Sequence, residues 1–462
     1  TYNDSSTLRF DELALDRGPD PKFPPDFSNV EGVMNILQNT SFDLSTLRPL
    51  NFPLRTDMLG ILIDAGRNYF PVWWLKRLID VLAVLQFNFI HFRLTDDQAF
   101  ALELKSHPNL TWPARYNGNK KKVYSRQDIR HLIAYARYRN ITIIPEINVP
   151  GHAGAWTGVR GLVVPCRNHA CNRGYALPLN ISHPNIREIL TDVISEVLEV
   201  FENPPYLHLG GDEMELAKPC FDEVGSEIFD YNNFEGMLRW ILRDVGYPEE
   251  QVIRWRETNF AEQTMQTQKR IKTTRRVGKI NHWWHDTPGK TENVTVGTPI
   301  IGSARLYMDV NFDEGAWEVF IHSRKWWYLD DVFPQSGPVT IQGIIVGTFE
   351  LDMNFFHSRN VIGRLLAVTI GASHLPITSG NQVHEEYAKW CRYVGFPDSL
   401  CRRYGTPLGD WETYRGIWQQ TWFQWRQDIC ARFPLPIPPR ITNTTDTAMT
   451  LTSSNQTKVE FL

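Results

Sequence analysis

Gly60-Ile61-Leu62-Ile63-Asp64 is an apolar run that ends in an acid, and residues 72–86 follow it with apolar side chains at helical spacing. Residues 87–94 form a second run of this kind, followed by a polar segment and a helical pattern over 126–139. Ser125 and Asp128 make a near capping box at the start of that helix. This alternation predicts repeated βα units around a parallel sheet.

The alternation continues further along the chain. Residues 141–146 and 206–209 predict the third and fourth strands, and residues 186–198 between them carry the clearest helical stripe. Residues 279–284, 299–304 and 339–346 are candidates for later strands, after a polar, Arg-rich stretch at 254–276. A doubly wound sheet is weakened because no GxGxxG motif opens a helix after an early strand. The pattern favours an α/β fold, a (β/α)8 TIM barrel over residues 57–433.

The two ends of the chain differ in composition from this central part. Residues 1–56 predict an irregular N-terminal arm, and residues 434–462 predict a Pro/Thr/Ser-rich C-terminal tail. The whole chain is 42% hydrophobic and 22% charged, as in ordinary globular proteins. Its net charge of −4 disfavours nucleic-acid binding, and no run of 18 apolar residues predicts a membrane span.

Cysteines and glycosylation motifs indicate the compartment. The six cysteines form no CxxC pair, so disulfides are favoured over a zinc site, and we expect neither a metal nor a cofactor. Eight Asn-x-Ser/Thr sites accompany them, which favours the secretory pathway and a secreted or lysosomal glycoprotein. These sites are Asn3, Asn39, Asn109, Asn140, Asn180, Asn293, Asn443 and Asn455.

Carboxylates follow each of the four early predicted strands. They are Asp64 near Arg67, then Asp96 and Asp97, then Glu146 near Asn148 and His152, then Asp212 and Glu213. Catalytic groups of a parallel barrel project from the carboxyl ends of its strands. Because unpaired buried carboxylates are costly, core packing does not explain acids at four consecutive strand ends. We therefore expect these side chains to converge on one pocket.

The segment Leu207-His208-Leu209-Gly210-Gly211-Asp212-Glu213 is the strongest unit. Its two glycines let the backbone leave strand geometry, so that two adjacent acids can enter one site. Repulsion between neighbouring carboxylates favours a proton on one of them, as general acid catalysis requires. We expect Asp212 and Glu213 at the centre of the active site.

Residues 208–213 resemble the His-x-Gly-Gly-Asp-Glu hallmark of glycoside hydrolase family 20, the β-N-acetylhexosaminidases. Residues 64–67, 91–98 and 145–152 share the resemblance in the family's order, and it extends from about residue 57 to 395. It implies an exo-acting hydrolase that removes terminal β-linked N-acetylglucosamine or N-acetylgalactosamine from glycans. The glycan is the expected partner, and a homodimer is one option for the assembly.

The resemblance also implies a mechanism. Family 20 uses substrate-assisted retention, in which the 2-acetamido oxygen attacks the anomeric carbon and an oxazolinium intermediate forms. Glu213 would protonate the leaving oxygen and then activate water, and Asp212 would orient the acetamido group and stabilise its charge. Tyr307 resembles the tyrosine that hydrogen-bonds the acetamido carbonyl.

Sugar-binding residues and disulfides are implied in the same way. Arg67 would hold the far hydroxyls of the sugar, and His152 would tune the general acid. The other implied sugar-binding residues are Asp64, Asp96, Asp309, Glu350, Trp283 and Trp284. The family pattern pairs Cys166 with Cys220, and Cys391 with either Cys401 or Cys430.

Several positions around the sugar depart from the family pattern. Asn148 stands where Asp is frequent, and the other departures are Ala99-Phe100 for Gly-Trp, Leu306 for Trp, and Thr348 for a stacking Trp. The stacking role would then fall to Phe349, Trp326 or Trp327. An alternative function is therefore a carbohydrate-binding protein on a hexosaminidase-like barrel with reduced or lost catalysis. An endo-acting or disaccharide-releasing relative is the third reading.

Overall fold

The computed structural model describes residues 44–111, 122–225, 230–255, 277–284, 299–303, 306, 308, 340–349, 361–375, 380–401 and 422–433. Most of the predicted arm and the whole predicted tail lie outside these residues. The described end of the arm packs against the rest of the protein, because Leu47, Leu50 and Phe52 are buried in its core.

Eight parallel strands form a closed barrel in chain order, which confirms the predicted (β/α)8 fold. The strands are β1 Met58–Asp64, β2 Phe89–Arg93, β3 Thr142–Glu146, β4 Leu207–His208, β5 Val252–Trp255, β6 Ile280–Trp283, β7 Pro299–Gly302 and β8 Thr340–Val346. Strand β8 pairs with β1 and closes the barrel. At the closure, Met58 lies beside Gly343, where an added Cβ would approach the Met58 Cβ to 2.5 Å.

Strand β5 is absent from the sequence prediction. Its four residues, Val252–Trp255, overlap the stretch that the polar, Arg-rich composition indicated as a connection. The strand is buried throughout, although it carries Arg254. Buried ion pairing with Glu235 at 3.4 Å allows an arginine to occupy the strand.

Helices connect the strands and pack on the outside of the barrel. They are α1 Val72–Val84, α2 Arg126–Arg137, α3 Arg167–Asn172, α4 Ile186–Val200, α5 Lys218–Glu223, α6 Tyr231–Asp244, α7 Val361–Ala372, α8 Gly380–Val394 and α9 Asp398–Cys401. Residues 422–431 are helical as well. Ser125 and Asp128 make the reciprocal hydrogen bonds of a full capping box at the start of α2.

The alternation of side chains along each strand divides the core into two clusters. In β1, Leu59, Ile61 and Ile63 join the larger cluster with the helices, whereas Met58 and Leu62 join the smaller one. The smaller cluster also contains Ile144, Ile253, Trp255, Ile280, Ile301 and Ile345, which come from the other strands. Each fully buried aliphatic side chain contributes about 1.5–3 kcal/mol of burial free energy. The smaller cluster therefore packs on the face of the strands opposite the helices.

Three disulfides connect the six cysteines. Cys166–Cys220 agrees with the pairing that the resemblance implied, and Cys391 pairs with Cys401, one of its two options. Cys171–Cys430 ties α3 to the helix at 422–431. Among the described residues, none of the helices combines the length and the apolar character needed to cross a membrane.

Candidate active site

The barrel register places the ends of the first four strands side by side. Asp64 pairs with Arg93, Arg93 pairs with Glu146, and Glu146 pairs with His208. The polar groups that follow these strands therefore meet at one end of the barrel, as the sequence predicted. Five of the predicted residues are buried there: Asp64, Arg67, Asp96, His152 and Asp212.

Arg93 is the central cation of this end of the barrel. Its Nη2 and Nε donate to Asp96 Oδ2 at 2.6 and 2.9 Å, and its Nη1 donates to Glu146 Oε1 at 2.9 Å. Arg67 supplies a second guanidinium, 3.0 Å from Asp64 Oδ2 and 3.1 Å from Asp96 Oδ2. Burial opposes the ionised form of Asp96, but these two cations and His152 hold its pKa well below the usual value.

Asp97 is bound by backbone donors. Gly154 N and Leu177 N donate to its Oδ1 at 2.9 and 3.1 Å, and Ala176 N donates to its Oδ2 at 2.6 Å. The Asp97 side chain is fully buried. This carboxylate therefore fixes the loop after β3 and is closed to a substrate.

His152 connects the two acidic pairs. Its Nδ1 lies 3.2 Å from Asp96 Oδ1 and 3.1 Å from Asp97 Oδ2, and its Nε2 lies 3.2 Å from Glu213 Oε2. Burial alone would lower the pKa of His152, but Asp96, Asp212 and Asp97 raise it well above the usual value. The imidazole is therefore a cation that faces both pairs at neutral pH.

The turn after β4 brings the second acidic pair into the same space. Gly210, Gly211 and Glu213 all have positive φ, at 56°, 90° and 55°. A Cβ at Gly210 would lie 2.0 Å from Asn148 Oδ1, so a larger residue does not fit there. Arg254 Nε donates to Gly210 O at 3.0 Å and holds the turn from β5. The backbone therefore leaves strand geometry at both glycines, as expected, and the close approach of Asn148 requires glycine at position 210.

Asp212 and Glu213 differ in exposure. Asp212 Oδ1 accepts a hydrogen bond from Asn148 Nδ2 at 2.7 Å, and 11% of the Asp212 side chain is exposed. Burial would raise the pKa of Asp212, but Arg93, His152 and the Asn148 hydrogen bond lower it overall. Glu213 exposes 28% of its side chain, the largest fraction among the four acids of the two pairs. The pair thus combines an ionised, held carboxylate with a more accessible one.

Aromatic side chains border this site on the β5, β6 and β8 side. Trp284 packs against the smaller core cluster, whereas Trp283 is buried one residue earlier, on the opposite face of β6. The Phe349 ring lies 5.7 Å from that of Trp255, and the Arg93 guanidinium lies 5.5 Å from its centroid. Trp284, rather than Trp283, therefore lies on the same side of the barrel wall as Trp255 and Phe349.

Two positions that depart from the family pattern are turned away from the site, and several predicted residues lie outside the described residues. Thr348 is fully buried and donates through Oγ1 to the Leu62 carbonyl, and Leu306 belongs to the larger core cluster. Neither side chain replaces a stacking tryptophan. Tyr307, Asp309, Glu350, Trp326 and Trp327 lie outside the described residues.

A stack of histidines under the site was missed by the sequence analysis. His208 Nδ1 accepts from Gly210 N at 3.0 Å, so its Nε2 carries the proton and faces His282 Nδ1 at 3.3 Å. The His91 ring stacks on His208 at 4.4 Å, and Trp255 stacks on His282 at 3.9 Å. Burial lowers the pKa of both His208 and His282, so these rings stay neutral. His91 and His208 stood inside the quoted motifs, but Trp255 lay on the strand that the prediction lacked.

Two clusters have the spacing that a metal ion could use. Three ligand atoms lie within 4.8 Å of one another in His91, His208 and His282, and again in Asp96, Asp97 and His152. In the first cluster, His208 already bonds Gly210 N and His282 Nδ1, and His91 Nε2 lies 2.7 Å from Glu146 Oε2. The second cluster is bound by arginines and backbone amides. We therefore assign no metal to either cluster.

Comparison with known proteins agrees with this arrangement. The profile for the glycosyl hydrolase family 20 catalytic domain matches residues 57–336, more than half of the 462 residues. The chain belongs to glycoside hydrolase family 20. The match includes the segments after β1 to β4 that carry the acids, which confirms the resemblance seen in the sequence.

Relatives within family 20 match parts of the chain. The β subunit of β-hexosaminidase from Homo sapiens is 31% identical over 266 residues, which cover 54% of this chain and 45% of that protein. The α subunit from Bos taurus is 37% identical over 159 residues, 34% of this chain and 30% of that protein. The chain thus spans less than half the length of these relatives.

A solved structure of family 20 shares the fold. The β-N-acetylhexosaminidase from Streptomyces coelicolor A3(2) superposes with a TM-score of 0.54 at 20% identity, covering 74% of this chain and 70% of that chain. At this identity the likeness shows the barrel fold and nothing finer.

Proposed function

We propose that the protein is an exo-acting β-N-acetylhexosaminidase that removes terminal β-linked N-acetylglucosamine or N-acetylgalactosamine from glycans. The carrying observation is the Asp212–Glu213 pair, in which a held, ionised carboxylate adjoins a more exposed one that contacts cationic His152. Membership of family 20 and the matching β-hexosaminidase subunits support the same reaction.

The roles follow from the environment of each acid. Glu213 protonates the leaving oxygen and then takes a proton from the attacking water, because it is the more accessible carboxylate. Asp212 accepts the acetamido N–H and stabilises the positive charge of the oxazolinium, since it stays ionised. The acetamido oxygen of the substrate is the nucleophile.

The substrate is held around these two acids. Arg67, beside Asp64 and Asp96, binds sugar hydroxyls at the mouth of the acid cluster, and Trp284 forms the wall. Tyr307, Asp309 and Glu350 complete the proposed site on the basis of the family resemblance.

Hydrolysis of 4-nitrophenyl N-acetyl-β-glucosaminide between pH 4 and 7 tests the proposal. We expect turnover that is lost with the corresponding β-glucoside, because the glucoside lacks the acetamido nucleophile. Glu213→Gln should lower kcat/KM by about 10²–10⁴-fold. The loss should be larger for chitobiose than for the nitrophenyl glycoside, because the sugar leaving group needs protonation more.

Glu215→Gln makes the same chemical change two residues later and is the matched control. Hydrolysis of the glucoside, or full activity of Glu213→Gln, would contradict the proposed mechanism. Calorimetric binding of N-acetylglucosamine without any turnover would support the competing function, a carbohydrate-binding protein. Release of disaccharides from longer glycans would support the endo-acting reading.

We also propose a secretory route, secreted or lysosomal, and a homodimer. Three disulfides and exposed acceptor asparagines at Asn109 and Asn140 support the route. A loss of mass when N-linked glycans are removed enzymatically from the full chain tests the secretory route. Sedimentation of the full chain tests the homodimer. The assembly is supported by the relatives, which are subunits of β-hexosaminidase.

A further inference from the structure

Asn148 grips the catalytic turn with both ends of its amide. Its Nδ2 donates to Asp212 Oδ1 at 2.7 Å, and its Oδ1 accepts from Gly211 N at 2.8 Å. The backbone N–H of Gly211 fixes which end of the amide is oxygen, so the amino group must face Asp212. The asparagine is itself held, because its backbone N donates to Thr95 Oγ1 at 2.8 Å.

An aspartate at position 148, which is frequent in the family, would change this contact. One oxygen would still accept from Gly211 N, but the other would stand 2.7 Å from a second carboxylate oxygen. Two carboxylates at that separation share a proton, since both cannot stay ionised. The asparagine avoids this sharing and adds a donor instead.

Arg93 acts on the other oxygen of the same carboxylate. Its Nη2 lies 3.7 Å from Asp212 Oδ2, while the rest of its guanidinium is held by Asp96 and Glu146. The charged groups that face Asp212 are Arg93 and Asp96 from the β2 side, His152 from the β3 loop and adjacent Glu213. Asp212 therefore faces two cations, which favour its ionised form, and two acids, which oppose it.

We propose that Asn148 and Arg93 are positioning residues that hold Asp212 in one orientation and ionised in acid, where an aspartate at position 148 would make it share a proton. The inference rests on the proposed function, because it concerns the carboxylate that meets the acetamido group. Its consequence is a hexosaminidase site that stays active further into the acidic range than the Asn148→Asp variant does.

The direction of the pH effect follows from the charge balance. The pKa of Asp212 is lowered by Arg93, His152 and Asn148 against the effect of burial, so the ionised form persists as the pH falls. Asn148→Asp replaces a donor with a like charge and raises that pKa. The acid limb of kcat/KM should therefore move up by about one pH unit, which is about a 10-fold loss at any pH on the limb.

The experiment compares pH profiles of kcat/KM for the wild type, Asn148→Asp and Asn88→Asp. Asn88 is the matched control, because its amide also binds two backbone groups, Leu59 N at 2.8 Å and Asp57 O at 2.7 Å, before β2. Asn88→Asp should leave the acid limb of kcat/KM where it is in the wild type. Arg93→Lys is the second variant, which keeps the charge but cannot bridge Asp96 and Glu146 as a fork. It should lower kcat about 3- to 10-fold, with the acid limb within about half a unit of the wild type.

Binding of N-acetylglucosamine, followed by calorimetry over the same pH range, supplies a readout that needs no turnover. An active wild type with an unmoved acid limb in Asn148→Asp would overturn this inference alone. An equal shift in Asn88→Asp would overturn it too, because the effect would then be general destabilisation. If the wild type showed neither binding of N-acetylglucosamine nor turnover, the proposed function would be overturned, and the inference with it.

Discussion

The two acidic pairs of the site have similar sequences but opposite surroundings. Asp96 and Asp97, after β2, are fully buried and accept bonds from two arginines, a histidine and backbone amides. Asp212 and Glu213, after β4, retain exposed side-chain surface of 11% and 28%. An Asp-Asp or Asp-Glu dipeptide therefore carries no fixed meaning. The number of internal donors decides whether a carboxylate holds the fold or remains open to a substrate.

His152 lies between the two acidic pairs and contacts both of them. One ring nitrogen faces the buried pair and the other faces the accessible pair. In the proposed mechanism the buried pair therefore acts indirectly, because it keeps the imidazole charged and oriented beside Glu213.

Asp97→Asn should have the largest effect on stability. The amide cannot accept from Gly154 N, Leu177 N, Ala176 N and His152 as the carboxylate does, so buried donors lose their partner. We expect the free energy of unfolding to fall by about 3 kcal/mol, measured by urea denaturation. A loss below the level of a surface substitution would show that this pair is dispensable for the fold.

Arg432→Met should have the next largest effect, because Arg432 supports the buried pair from the 422–433 segment. Its guanidinium donates to Asp97 O, Gln98 O and Gly154 O at 2.9, 2.7 and 3.3 Å, and burial lowers its pKa to about 10. We expect a loss of about 2 kcal/mol in the free energy of unfolding. Arg426→Met, which removes one exposed contact with Asn172 O, is the control. Equal losses in the two variants would argue against this support.

His152→Gln should change how stability depends on pH. The raised pKa of His152 means that its charged form contributes fully below about pH 6.5, and this contribution falls as the pH rises through the raised pKa. The wild type should therefore exceed His152→Gln by about 1–2 kcal/mol at pH 5.5. The gap should narrow as the pH rises from 6.5 towards 10, followed by urea unfolding at each pH. A stability difference that widens as the pH rises would contradict the positive charge assigned to His152.

Much of the barrel could be read from the sequence, because strands that are buried on both faces leave long apolar runs. Strand β5 could not be predicted, because a four-residue segment that contains an arginine looks like a polar connection in the sequence. Only the fold shows that Glu235 is the buried partner of Arg254. The acids at strand ends were predictable from the barrel rule. The Gly-Gly turn already singled out Asp212 and Glu213, but the closure of Asp97 was not predictable, because amides of residues 154–177 bind it and their placement depends on the folded loop.

The histidine stack could not be predicted from the local sequence either. His282 Nδ1 accepts a hydrogen bond from His208 Nε2 only because β4, β5 and β6 bring the rings together in the barrel. The exchange of Asp for Asn at position 148 was visible in the sequence, but its meaning required the positions of Gly211 and Asp212.

The paired behaviour of Glu213→Gln and Asp97→Asn tests the central distinction most directly. The measurement is kcat/KM and the urea unfolding free energy for both variants under one set of conditions. Glu213→Gln should stay within about 1 kcal/mol of the wild type in stability and lose about 10²–10⁴-fold in kcat/KM, since the side chain is partly exposed. Asp97→Asn should lose about 3 kcal/mol. Wild-type turnover in Glu213→Gln, or wild-type stability in Asp97→Asn, would contradict the assignment of the two pairs.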